Sequence, residues 1–160
     1  MVDTVDADRG LREAIERLYR ERGEGMWRAI LAYSSDPEVA SDAVAEAFAQ
    51  LLRRGAAVRE PERWAWRAAF RIAAGELKAR RKTGGGSLLE GSYEIEPASV
   101  DLARALATLS ERQRSAAVLH YLADMPVAEV AKILGTTTGT VKVHLSRARR
   151  RLRDELGGDG

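Results

Sequence analysis

Near the C-terminal end a single glycine, Gly135, separates two segments of helical spacing, and few structures accommodate that punctuation. Pro126-Val127-Ala128-Glu129-Val130-Ala131-Lys132-Ile133-Leu134-Gly135 has the pattern of a short helix stopped by a residue at ease in the left-handed conformation. Thr137 then stands where the next helix needs a cap. Beyond it, Val141, Leu145, Ala148 and Leu152 fall within a narrow arc at 100° per residue and predict a buried stripe. Gly139, Val143, Ser146, Arg147 and Arg150 point the opposite way, with Lys142 and Arg149 on the flank. Small Ala131 and Gly135 let the two helices cross closely. The pattern predicts a helix-turn-helix whose second helix covers residues 138–154.

The remainder of the chain also carries helical spacing, with no strand alternation, so the expected class is all-α. Leu11, Ile15 and Leu18 mark one helix, and Trp27, Ile30 and Leu31 a second. A third opens at Asp36-Pro37, a cap residue followed by proline at the first helical position, and carries Val44, Phe48 and Leu51. A fourth starts near Pro61 with the stripe Trp66, Phe70, Ala73 and Leu77. Leu102, Leu106 and Leu109 mark another, and Ser110-Glu111-Arg112-Gln113 is a capping box for the one after it. The run Gly84-Gly85-Gly86-Ser87, then Gly91-Ser92 and Pro97, breaks any helix and predicts a flexible linker between two small helical domains.

Several functional classes are disfavoured. With 45% hydrophobic and 31% charged residues the chain has the balance of a globular protein. It has no cysteine, which removes disulfides, thiolate metal sites and a cysteine nucleophile and suits a reducing compartment. Met1-Val2-Asp3, followed by Asp6 and Asp8, offers no basic or apolar leader, and no apolar run approaches the roughly 20 residues that span a bilayer. A cytoplasmic protein with no membrane contact is expected. An enzyme is not: His120 and His144 fall on separate helices without a ligand cluster, and Gly84-Gly85-Gly86 lacks the Gly-Lys-Ser/Thr ending of a phosphate loop. No cofactor, metal or small-molecule substrate is called for.

The net charge of +2 hides an uneven distribution. Arg63, Arg67, Arg71, Lys78, Arg80, Arg81 and Lys82 face one acid, Glu76. Lys142, Arg147, Arg149, Arg150, Arg151 and Arg153 meet only Asp154 and Glu155. Between these blocks, Leu88 to Asp101 holds Glu90, Glu94, Glu96 and Asp101 with no base. Two basic elements around an acidic connector predict two contacts with a polyanion. In a helix-turn-helix the N-terminal half of the second helix enters the major groove. Lys142, Val143, Ser146 and Arg147 are therefore the candidates for base edges. Thr138, Thr140, Arg149 and Arg150 are placed for phosphates, and His144 flanks the same helix. The plainer alternative is a helical hairpin whose arginines only solvate a surface; six bases on one short helix weigh against it. On the other basic helix, Trp66 and Phe70 belong to the core, whereas Trp64, Arg67, Arg71, Gly75, Lys78 and Lys82 share the polar face. Trp64 among cations either stacks on unpaired nucleotides or caps the preceding loop.

These segments together resemble a family. Ser110-Glu111-Arg112-Gln113-Arg114 through Thr140-Val141-Lys142-Val143-His144-Leu145-Ser146-Arg147-Ala148-Arg149 is similar to region 4 of bacterial RNA polymerase sigma factors, a match whose last part response-regulator output domains share. Asp42-Ala43-Val44-Ala45-Glu46-Ala47-Phe48, and Phe70-Arg71-Ile72-Ala73 through Arg80-Arg81, resemble region 2. Together, in this order and joined by a short linker, they resemble the compact extracytoplasmic-function (ECF) group. The resemblance implies region 2 over residues 1–83, a linker over 84–99 and region 4 over 100–156. It implies core RNA polymerase and promoter DNA as partners, with region 2 docking on the polymerase clamp and melting the −10 element while region 4 reads the −35 element. An anti-sigma partner is common in the group. Asp42, Glu46, Ala49 and Arg53 become the expected polymerase-facing residues, although geometry alone makes them an ordinary solvated face. Two positions depart from the family pattern: Ala45 replaces the usual glutamine and Gly75 the usual asparagine. Gly75 either loses an amide that holds a flipped base or marks a bend or close DNA approach. The rival functions are a helix-turn-helix regulator binding DNA alone and an adaptor occupying polymerase without initiating.

Overall fold

The structure, a computed structural model, describes residues 4–83 and 94–157, and all regular structure among these residues is helical. Among the described residues seven α-helices follow one another: α1 (Thr4–Ser34), α2 (Pro37–Arg54), α3 (Pro61–Lys82), α4 (Pro97–Ala107), α5 (Glu111–Ala117), α6 (Val127–Leu134) and α7 (Thr138–Gly157). The chain divides into two compact units, Met1–Ile30 with Glu38–Gly86, and Leu31–Pro37 with Ser87–Gly160. Residues 84–93 of the expected linker lie outside the described residues. Pro97, expected to break structure, instead opens α4 at its first turn, so the linker's last three positions are helical. Proline has no N–H to lose there and its φ is already helical.

The two helices expected before Ser34 are one continuous helix of 31 residues, most of it in the first unit. Gly23 and Gly25 lie inside it, each costing roughly 1 kcal/mol relative to alanine. Packing supplies the reason at Gly23: a β-carbon there would come within 3.3 Å of the Tyr19 ring. That ring in turn meets Phe48 of α2 edge-on, with centroids 5.1 Å apart. Trp27 Nε1 donates to Ser41 Oγ at 3.0 Å, a second tie between α1 and α2. Along α2 the buried set Val39, Ala40, Ala43, Val44, Ala47, Phe48 and Leu51 recurs every three to four residues, as a single core-facing stripe requires. Its alanines are fully enclosed and permit close helix approach. Pro37 starts the helix, with Glu38 in its first turn and Arg53 and Arg54 in its last, matching the helix dipole. Gly55, at φ 55°, ends it in the left-handed region. Helix α3 buries Ala65, Trp66, Ala69, Phe70 and Ala73. Exposed ion pairs from Glu62 to Arg22 (3.2 Å) and from Arg80 to Glu38 (3.2 Å) tie it to α1 and α2, each worth at most about 1 kcal/mol.

The second unit is built around α7. Its buried residues are Val141, Leu145 and Ala148, α7 lies against α5 and α6, and Leu106, Leu109, Ala116, Val118, Leu119 and Val130 are among the other core residues. Helix α5 starts on the expected capping box: the Gln113 N–H donates to Ser110 Oγ (3.2 Å) and the Ser110 N–H to Gln113 Oε1 (3.3 Å). Ser110→Ala should therefore lower unfolding stability by about 1 kcal/mol, read as a shift in the urea midpoint at constant slope. Helix α5 ends in a π-helical turn, Val118–Leu122, in which the Ala123 N–H reaches back to Val118 O at 3.0 Å. Gly135 takes φ 66°, the left-handed stop its position between α6 and α7 demands.

Candidate nucleic-acid interface

The turn into α7 is held by side chains. Thr137 Oγ1 accepts from the Thr140 N–H at 3.2 Å and lies 2.9 Å from the Thr140 hydroxyl. The Val141 N–H donates to Thr137 O at 3.1 Å, so the helix is closed from its first turn. Thr138 is exposed, whereas Thr140 is half-buried and shares its hydroxyl with the cap. From there the two faces separate. Val141, Leu145 and Ala148 are enclosed, while Lys142, Val143, Ser146, Arg147 and Arg150 are exposed. Val143 keeps 47% of its surface in solvent, a large apolar side chain set among cations. The helix reaches Gly157, three residues past the expected end.

Two of the flanking residues have partners that sequence reasoning did not identify. Arg149 Nη1 donates to the Tyr121 hydroxyl at 2.6 Å. His144 is half-buried, and burial first, then the charges of Arg112 and Arg147, hold its pKa below the ordinary histidine value. Because the folded chain holds this proton more weakly than the unfolded chain, acidification below about pH 6.5 should cost stability. His144→Gln should remove that part of the loss, so its urea midpoint should move less than the wild-type midpoint between pH 7.5 and 5.5.

On α3, Arg71, Gly75, Lys78 and Lys82 are exposed along one side, with Arg67 half-buried beside them. The helix runs unbroken through Gly75, and nothing lies within 4 Å of where a β-carbon would stand. Trp64 is half-buried and the Arg54 guanidinium lies 5.4 Å over its ring, so the indole packs against the end of α2.

The face of α2 expected to meet polymerase is partly paired within itself. Asp42 is exposed and Ala49 half-buried. Glu46 accepts from Gln50 Nε2 at 3.1 Å and from Arg53 Nη2 at 3.0 Å. These two bonds, that of Gln50 first, hold its carboxyl below the usual carboxylate range. Beside it Ala45, Phe48, Ala49 and Leu52 of α2 and Ile15 and Tyr19 of α1 line an apolar groove of about 450 Å³, which the sequence reading missed. Tyr19 and Leu52 are 52% and 41% exposed there. The signal was present: both break the polar outer faces of otherwise amphipathic helices.

Among the described residues, no group of three or more His, Asp or Glu could hold a metal, and no helix is long and apolar enough to cross a membrane. What the fold and these surfaces define is an all-α protein with a basic helix-turn-helix and a second basic helix in a separate unit. Residues 99–152 match the family Sigma-70, region 4. Over 154 residues the chain is 32% identical to the RNA polymerase sigma-E factor of Streptomyces antibioticus, covering 96% of this chain and 72% of that protein. It is 31% identical over 157 residues to the ECF RNA polymerase sigma factor SigM of Mycobacterium tuberculosis, covering 92% of this chain and 80% of the relative. The fold is similar to that of the sigma factor RpoE in complex with the anti-sigma factor NepR from Bartonella quintana. That likeness has a TM-score of 0.68 at 23% identity and covers 91% of this chain and 99% of the other. The chain belongs to the extracytoplasmic-function group of RNA polymerase sigma factors.

Proposed function

We propose that this sigma factor binds core RNA polymerase in the cytoplasm and directs promoter-specific initiation, with residues 1–83 acting as region 2, 84–99 as linker and 100–156 as region 4. The observation that carries the reading is the division of α7: a buried stripe of Val141, Leu145 and Ala148 turns Lys142, Val143, Ser146, Arg147 and Arg150 to solvent on a capped helix. A helix so presented fits the major groove, where a base-edge set and a phosphate set are both needed. Thr138, Thr140 and Arg150 sit at the margins suited to phosphates. In region 2 the exposed cations Arg71, Lys78 and Lys82 form the surface for the −10 strand, with Arg67 at its edge. Trp64, covered on one side by Arg54, supports that surface from the α2 end.

For polymerase, the surface is Asp42, Glu46, Ala49 and Arg53 of α2, and Ala49 together with Ala45 also lines the apolar groove. An anti-sigma factor is the expected regulator, since the similar RpoE structure holds one.

Run-off transcription with purified core polymerase tests the proposal. Promoter-dependent transcripts that require this chain are expected. Sequence-specific DNA binding without core enzyme, and no transcripts, would indicate a stand-alone regulator; core binding without transcripts would indicate an adaptor. Trp64→Ala with Arg71→Ala should impair initiation on duplex promoters far more than on pre-opened ones. Equal loss on both templates would exclude a melting role for this surface.

A further inference from the structure

We propose that Tyr121 is a positioning residue for Arg149, holding that guanidinium at the edge of α7 for a DNA phosphate; the inference rests on the promoter-binding reading above. The two residues are 28 apart in sequence, and the 2.6 Å hydrogen bond between them joins the end of the α5 segment to the recognition helix. How Tyr121 comes to be there follows from the π-helical turn Val118–Leu122. Val118 and Leu119 are buried at 1% exposure, and the turn carries Tyr121 to the surface at 44%. Its neighbour His120 is anchored, with Nδ1 2.8 Å from Met125 O, which requires the proton on that nitrogen. The His120 and Tyr121 rings meet edge-on at 4.9 Å, so the phenol is braced from the inner side. π-Helical turns are costly in hydrogen-bond geometry and recur where a side chain must be aimed.

The chemistry of the pair suits a phosphate grip. A phenol accepts one guanidinium N–H without neutralising its charge, and four donors remain for an anion. Arg151, two residues further on and therefore turned to another face of α7, shows the contrast: its exposed side chain pairs with Glu155 at 3.4 Å, a carboxylate that offsets part of its charge. An arginine fixed before DNA arrives loses less rotamer freedom on binding than a free one. Arg149 was expected to meet a phosphate from sequence alone; Tyr121 supplies the reason it can do so tightly.

The test uses holoenzyme assembled from the full chain and core RNA polymerase, on duplex DNA from a promoter it transcribes. Tyr121→Phe should weaken binding about three- to tenfold, the worth of one hydrogen bond, and leave the salt dependence unchanged. Arg149→Ala should weaken binding and reduce the salt slope by about 1, as loss of a phosphate contact does. In the Arg149→Ala background Tyr121→Phe should do nothing further. In the free chain, nitrogen relaxation should show the Arg149 guanidinium restrained in the wild type and released by Tyr121→Phe. An undiminished effect of Tyr121→Phe without Arg149, no effect with it, or an Arg149 guanidinium equally mobile in both chains would overturn the proposal. Failure of the wild-type chain to direct any transcript would instead overturn the sigma reading, and the phosphate role with it, while relaxation still reports whether Tyr121 restrains Arg149.

Discussion

Leu145→Ala should lower the unfolding stability of the second unit by about 2–5 kcal/mol and abolish DNA binding with it. Leu145 is 3% exposed at the middle of α7, between Val141 and Ala148, neither of which meets solvent, and α7 lies against both α5 and α6. Removing most of that side chain deletes its transfer energy and leaves a cavity that three short helices cannot close without losing other contacts. Small domains are stabilised by only about 5–15 kcal/mol in all, so the loss is a large fraction of the total. Urea unfolding by circular dichroism, with amide exchange along α7, measures it. Val143→Ala is the matched control, truncating a similar aliphatic side chain on the opposite face, 47% exposed. It should change stability by less than about 0.5 kcal/mol while weakening DNA binding. A Leu145→Ala chain as stable as the Val143→Ala chain would mean that the buried stripe is not what holds α7.

Arg147→Ala and Arg150→Ala should both weaken promoter binding, but in different ways. Arg147 faces the groove in the N-terminal half of α7, so its removal should cost about 1–3 kcal/mol and relax preference at one base pair. Arg150, one turn further along, is placed for a phosphate; its removal should weaken all sequences alike and lower the salt slope by about 1. Binding of each variant to a set of single-base promoter changes, at several salt concentrations, separates the two effects. Identical sequence profiles for the two variants would exclude the division between base-edge and phosphate arginines. Neither change should alter stability much, because both side chains are exposed.

How much of this was legible beforehand depended on distance along the chain. The stop at Gly135, the Thr137 cap, the Ser110 capping box and the first three members of the α7 stripe came out as read, because each is decided by residues within four positions of one another; Leu152, the fourth, is only half-buried. Pro37 and Pro61 marked helix starts for the same reason. Pro97 was misjudged because proline both ends and begins helices, and the choice was made by Leu106 and the other apolar residues that follow it. The break placed before Trp27 did not occur. Gly23 and Gly25 weaken a helix locally, yet the Tyr19 ring against Gly23 and Phe48 makes the continuous form the better packed one.

The sequence by itself determined the all-α class, the two basic helices and the faces on which their candidate residues stand, since helical periodicity and cap chemistry are short-range properties. Tertiary structure alone decided which of those side chains have partners. It set Arg54 over Trp64 and brought Tyr121 to Arg149 across 28 residues. It also placed the Arg112 charge where it acts on His144, and opened an apolar groove beside Ala45. Such pairings depend on how helices pack against one another, and no spacing rule within a single helix encodes them.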